Sequence, residues 1–188
     1  ACCQLSRGAV LYQLKRYDEA LDAYQQAHAV FAALGSKNYI TMCQLNMALV
    51  AYDMGRYSEA LALYHPLAEA AEAEGRLLRV ARCYANMGLC YVHVGRYDRA
   101  LIYQTRAQEA FREGGLILYS ALLEVDLAAT YRRLGRHADA FGHYRHARQT
   151  FEEQGTPVYL ARCDTHLADL HLALGQYADA LVCLERAR

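Results

Sequence analysis

Apolar and polar positions follow a helical rhythm along this 188-residue chain. Across 57–74 the apolar residues Ala60, Leu61, Leu63, Tyr64, Leu67, Ala68 and Ala71 keep the i, i+3, i+4, i+7 spacing of one helix face. Alanine, leucine, glutamate and arginine fill these stretches, and all four are strong helix formers. The rhythm then repeats every forty residues. Gly55, Gly95, Gly135 and Gly175 form one column, with Lys15 as its exception, and Gly35, Gly75, Gly115 and Gly155 form another. Two residues after the first column come Tyr17, Tyr57, Tyr97, His137 and Tyr177, followed by Ala20, Ala60, Ala100, Ala140 and Ala180. Internal repetition of this kind outranks any local signal.

Each glycine reads as a helix stop, because glycine adopts the left-handed conformation at C′ without a Cβ penalty. Each forty-residue unit is therefore predicted to be a helical hairpin, roughly 17 residues per helix with a turn of about 3. Acids early in the second helix (Asp18, Glu19, Glu59, Asp98, Asp139, Asp179) suit its positive end. Thr156–Pro157 is read as a start in which threonine caps free amides. Pro66 removes one ladder bond, so a local kink near Leu63–Pro66 is expected. Gly8, Ala48, Gly88, Ala128 and Ala168 are small enough for a partner helix to approach closely, and the Ala20 column does the same on the second helix, with Tyr24, Tyr64 and Tyr144 packing beside it. A single hairpin cannot bury its apolar face, so neighbours must stack. The expectation is an all-α fold: a right-handed α-solenoid of about five antiparallel hairpins, at 1–35, 36–75, 76–115, 116–155 and 156–188.

The pattern small–x2–large–x3–Gly–x–Tyr–x2–Ala–Leu, seen at Gly88, Tyr91, Gly95, Tyr97, Ala100 and Leu101, resembles the tetratricopeptide repeat family over the whole chain. The period departs from that family's roughly 34 residues, and glycine stands where proline often closes a unit. Longer units of this kind look like those of kinesin light chain, of the polarity adaptors that bind GoLoco proteins, and of bacterial regulators and arrays linked to CHAT protease domains. The resemblance implies a superhelix whose first helices line the concave side. Only two of the basic residues are lysines, Lys15 and Lys37, and this arginine preference points towards a high-GC bacterial source. The chain opens inside a first helix and closes inside a second, so a fragment of a longer array is expected, with end-to-end pairing of exposed ends.

Columns of fixed small or apolar chemistry are packing positions, which leaves the varying face of the first helices as the binding candidate. Following i, i+4, i+7, i+11, that face holds Met42, Asn46, Leu49 and Asp53, then Arg82, Asn86, Leu89 and His93. It continues with Leu122, Asp126, Ala129 and Arg133, and with Arg162, His166, Asp169 and Ala173. The column Ser6, Asn46, Asn86, Asp126, His166 is polar in every repeat. Mid-helix asparagine is a poor helix former yet pairs well with a peptide backbone. The resemblance implies that Asn46 and Asn86 clamp the main chain of an extended ligand. The alternative is that these side chains are solvated or bond to the adjacent helix. Arg82, Arg133 and Arg162 could hold ligand carboxylates, with Asp53, Asp126 and Asp169 pairing with some of them.

Charge and composition narrow the classes. Twenty basic residues balance twenty acidic ones, which argues against a general nucleic-acid or anionic-membrane binder. No apolar run would span a bilayer, and no basic-then-apolar leader is visible at Ala1. Of seven cysteines, Cys3, Cys43, Cys83 and Cys163 share a column with Leu123, so they read as core hydrophobes in a cytosolic setting. Asp139, His143 and His146 fall on one helix face but lack a fourth ligand, and a solvated face is expected there. No nucleophile–base pair or phosphate loop can be composed from these columns, so neither catalysis nor a cofactor is expected. The function expected is a non-enzymatic module, a scaffold or sensor segment holding an extended peptide or partner helix in its groove. A structural spacer or oligomerisation element is the alternative, and a nucleic-acid-binding repeat is less favoured.

Overall fold

The computed structural model describes residues 2–188. Ten α-helices follow one another: α1 (Cys2–Gln13), α2 (Tyr17–Ala33), α3 (Lys37–Asp53), α4 (Tyr57–Ala73), α5 (Leu77–His93), α6 (Tyr97–Glu113), α7 (Ile117–Arg133), α8 (His137–Glu153), α9 (Pro157–Ala173) and α10 (Tyr177–Arg186). No strand occurs among the described residues. From α2 to α9 every helix has 17 residues. Both glycine columns carry positive φ, from 63° to 74°. At the glycine turns inside each unit two amides close back on the helix end: Gly35 N–H donates to Ala32 O at 3.1 Å and Ser36 N–H to Phe31 O at 3.0 Å. This is the Schellman arrangement that satisfies orphan carbonyls. Lys15 takes the same conformation, φ 58°, with the same bonds to Tyr12 O and Leu11 O.

The helix starts depart from expectation in one place. Thr156 makes no side-chain cap; its hydroxyl donates backwards to Phe151 O at 3.1 Å, serving the end of α8 instead. The short turn brings that carbonyl within reach before any amide of α9. Pro157 does occupy the first turn of α9. α4 runs from Tyr57 to Ala73 with Pro66 inside it.

The described chain divides into two compact units, 1–94 and 95–188. In each, consecutive helices pack on one another: α1 to α5 in the first and α6 to α10 in the second. The small columns work as the sequence implies. A Cβ on Gly8 would sit 2.6 Å from the Tyr24 ring, so the two helices meet at a distance only a hydrogen allows. Ala48, Gly88, Ala128 and Ala168 are buried at the same place in later repeats. Tyr24, Tyr64 and Tyr144 are buried beside them. The core of the first unit contains Leu11, Ala20, Tyr24 and Val50, with Ala27, Phe31 and Cys43 alongside. That of the second gathers Val125, Tyr144, Phe151, Cys163 and Leu170. One cysteine expectation is corrected: Cys43, Cys83 and Cys163 are buried, but Cys3 is exposed, because α2, the helix packed on α1, leaves that column open.

Lys15 provides a direct test of the turn. An L-residue in the left-handed region costs roughly 1–2 kcal/mol, partly offset by the greater chain entropy of glycine. Lys15→Gly should therefore raise stability by about 0.5–1 kcal/mol, read as a higher urea midpoint at unchanged m-value. An unchanged midpoint would contradict the strain assigned to this turn.

Candidate functional site

The polar column of the first helices lies against the tyrosine column of the second. Asn86 Nδ2 donates to the Tyr64 hydroxyl at 3.1 Å. His166 stacks on Tyr144, with ring centroids 5.4 Å apart and planes 18° from parallel. Asn46 and Tyr24 line one cavity of about 370 Å³ together with Tyr12, Gln13 and Leu49. In all three steps the polar residue follows its tyrosine by 22 positions, which is a consequence of constant helix length and a constant turn. Asn46, Asn86, Asp126 and His166 are half-buried, so each combines polar capacity with partial shelter from water.

Asp126 breaks the pattern because Gln104 stands where the column has tyrosine. Gln104 is fully buried; the Thr130 hydroxyl donates to its Oε1 at 3.0 Å, while its Nε2 has no partner among the described residues. The Asp126 carboxylate likewise has no hydrogen bond there. Burial raises its pKa to about 6, against the pull of the Arg162 guanidinium. His166 shifts downward from its ordinary value, first by burial and then by the same Arg162.

The other expected site residues divide between partnered and open. The Tyr12 hydroxyl donates to Asp53 Oδ2 at 2.5 Å. The Tyr52 hydroxyl meets His93 Nε2 at 2.9 Å, and the His93 ring stacks on Tyr57 at 4.7 Å. Asp53 and His93 are thus each tied to a tyrosine 41 residues earlier. Leu49 and Leu89 are half-buried, whereas Arg82, Arg133, Arg162 and Asp169 are exposed. The Arg162 guanidinium lies 5.4 Å from the centre of the Tyr159 ring. The expected pairing of Asp53, Asp126 and Asp169 with the arginines of this face is not found: none of them forms an ion pair among the described residues. Their spacing along the helices keeps acid and base apart, and Asp53 is already engaged by Tyr12.

The histidines of α8 are also corrected. His146 is exposed, as a solvated face requires, but His143 is half-buried and both histidines turn to Glu124, which is only 5% exposed and also accepts from Gln108. Asp139 instead pairs with Arg136 at 2.8 Å. Among the described residues no three His, Cys, Asp or Glu side chains could hold a metal ion. Burial pushes the Cys83 and Cys163 thiols up to about 11 and Cys90 to about 12, so they stay protonated and act as packing groups. The partners Tyr64, Tyr144 and Glu124 were not singled out as site residues from sequence. Their signal was the i, i+22 coupling of two columns, visible only once helix faces are assigned.

Paired helices of constant length, packed through matching columns, define an all-α repeat scaffold. A tetratricopeptide repeat family model matches residues 1–64, 39–113 and 119–188, and the chain belongs to that family. Among solved structures it is similar to BtubC (BKLC) from P. vanneervenii, at 18% identity over 96% of this chain and 75% of that one, TM-score 0.82. The Rap conjugation gene regulator of plasmid pLS20, in complex with the Phr* peptide, matches at 16% identity over 98% of this chain and 51% of its own, TM-score 0.83. A Podosopora anserina putative kinesin light chain with nearly identical TPR-like repeats matches at 16% over 99% and 92%, TM-score 0.79. No curated protein matches the chain in sequence. No helix among the described residues is long and apolar enough to cross a membrane.

The raised pKa of Asp126 has a measurable consequence. A carboxyl whose folded pKa lies above its unfolded value favours the native state below about pH 4, and that contribution is lost as pH rises through about 6. Asp126→Asn should therefore stabilise the protein at pH 7.5 by on the order of 2 kcal/mol and change little at pH 4. Urea titrations at the two pH values check this; an equal effect at both would exclude a buried, ionised Asp126 as its source.

Proposed function

We propose that the chain is a non-catalytic interaction module that binds an extended peptide or a partner helix on the face lined by its first helices. One observation carries this reading. The Asn46 amide is half-buried, lines a cavity with Leu49 and Tyr24, and has no hydrogen-bond partner among the described residues. A sheltered amide with both donor and acceptor free suits a peptide main chain. Asn86 keeps its carbonyl oxygen available while Nδ2 engages Tyr64. The structure of the Rap regulator with the Phr* peptide supports the reading by analogy of fold. The balanced charge disfavours nucleic acid as the partner. Free cysteines fit a cytoplasmic setting, and the arginine preference fits a bacterial source.

A spacer without ligand has one observation in its favour: Asn86, Asp53 and His93 each have partners inside the first unit. A random dodecapeptide display library panned on the chain separates the two. Peptides should be recovered, and the Asn46→Ala/Asn86→Ala variant should bind them at least about tenfold more weakly while its far-ultraviolet circular dichroism stays unchanged. The tenfold loss corresponds to about 1.4 kcal/mol, the scale of one lost hydrogen bond in a sheltered site. Full binding by the folded variant would remove the asparagines from the interface.

A further inference from the structure

The second unit buries a carboxylate at the same repeat position twice and satisfies only one of them fully. Glu124 on α7 is 5% exposed, and Asp164, its equivalent on α9, is 1% exposed. Glu124 is met from both neighbouring helices. Gln108 of α6 donates to Oε1, His143 Nδ1 of α8 meets Oε2, and His146 Nδ1 lies 3.3 Å from Oε1. The His143 ring is stacked on Tyr131, with centroids 5.0 Å apart and planes 9° from parallel.

Asp164 has the equivalent neighbours without all of their bonds. Arg148 stands where Gln108 does, and its Nε donates to Asp164 Oδ1 at 2.8 Å. In the places of His143 and His146, α10 carries Cys183 and Arg186. Asp164 Oδ2 is buried and has no hydrogen-bond partner among the described residues. Buried polar atoms normally have a partner, so this oxygen calls for a donor. Cys183 lies beside it: burial raises the thiol pKa, and the Asp164 carboxylate adds to the shift. A thiol is shorter than an imidazole and a weak donor, so it does not replace the bond that His143 makes.

The exchange of ring for thiol also leaves space. A cavity of about 670 Å³ lies among α8, α9 and α10, and Arg148 and Cys183, which flank Asp164, both line it. His171 stands in the place of Tyr131 and lines it as well. That ring is fixed by a 2.7 Å bond between Nδ1 and Gln176 Oε1, and by Phe141 at 4.7 Å. The platform of the preceding repeat is therefore kept, while the ring that stacks on it is absent from the sequence. Arg145 and Arg186 border the cavity, are exposed, and form no ion pair among the described residues. Against them the lining holds one carboxylate, Asp179. None of Arg162, His166, Asp169 and Ala173 lines the space, so it is separate from the first-helix face.

We propose that this cavity binds a small planar nitrogen heterocycle bearing an acidic substituent: the ring stacks on His171, its N–H donates to Asp164 Oδ2, and the substituent is held by Arg145 and Arg186. The bound ring does for Asp164 what His143 does for Glu124. The volume falls within the range of small-molecule sites. Guanidinium groups suit a carboxylate or phosphate on the ligand, since each offers paired donors. The site is independent of Asn46 and Asn86, which belong to the other unit.

Imidazole-4-acetate is the probe, titrated calorimetrically into the whole chain at about pH 8.5, where an imidazole ring is neutral and keeps one N–H. It should bind and raise the thermal midpoint. Its 1-methyl derivative, which has no ring N–H, should bind at least about tenfold more weakly, and unsubstituted imidazole at least about threefold more weakly. Cys183→His supplies the ring of the preceding repeat and should abolish binding while raising the midpoint of the free protein. Cys183→Leu, which introduces the residue that this column holds at Leu63, fills space without a donor and should weaken binding at least about tenfold. It serves equally if Cys183→His fails to fold. Arg145→Gln should remove the advantage of the acetate over imidazole. The inference is overturned by no binding at about 10 mM probe, by equal binding of the methylated probe, or by undiminished binding to Cys183→Leu. Equal affinity for the probe and for imidazole would overturn the role given to the arginines.

Discussion

Each helix from α1 to α9 ends on a residue held in the left-handed region, and the rest of the structure depends on that constraint. A left-handed residue at C′ lets two amides close on the helix end and turns the chain back within three residues. Because the turn and the helix length recur, within each unit a given column of one helix meets a given column of the next. Columns in sequence thereby become layers in space inside each unit. That Lys15 adopts the glycine conformation indicates that packing of the hairpin, rather than the residue's own preference, imposes the turn.

The layers divide labour between shape and chemistry. Gly8 lets the Tyr24 ring lie close against α1, and Ala48, Gly88, Ala128 and Ala168 are buried at the same place in later repeats. The tyrosine hydroxyls and rings then meet the polar column above them. Tyr64 reaches Asn86, and Tyr144 carries His166. A buried ring with a polar tip suits this place, since its body fills the core and its hydroxyl satisfies a half-buried neighbour. Where Gln104 replaces the ring, Asp126 has no hydrogen bond to its carboxylate among the described residues, and burial raises its pKa.

Departures from the repeat are informative in the same way. A column kept through the array reflects packing, while an exception marks a place where the packing changes. Gln104, which stands in the tyrosine column, is one such place, and it makes a polar site with Thr130 within the packed second unit. Ala71 and Arg79 are another, at the step where the other hairpins stack two rings. Glu124, which gathers Gln108, His143 and His146, shows that a buried carboxylate can be absorbed wholly into internal bonding.

The forty-residue period by itself determined the helices, their ends and the core columns, because each depends on residues close in sequence and is restated in every repeat. It also identified the face that holds Asn46, Asn86, Asp126 and His166. Which members of that face are engaged was decided only by tertiary packing. Asp53 and His93 bond to tyrosines 41 residues away, Arg82, Arg133 and Arg162 form no ion pair among the described residues, and Thr156 turns back to the preceding helix. Those outcomes depend on distances between repeats, which a periodic pattern orders but does not measure. Charge follows the same division: α2 and α4 carry Asp18, Glu19, Asp22, Glu59, Glu69 and Glu72 and no lysine or arginine, but the sum over the whole chain is zero, and only the assignment of residues to helices separates the signs.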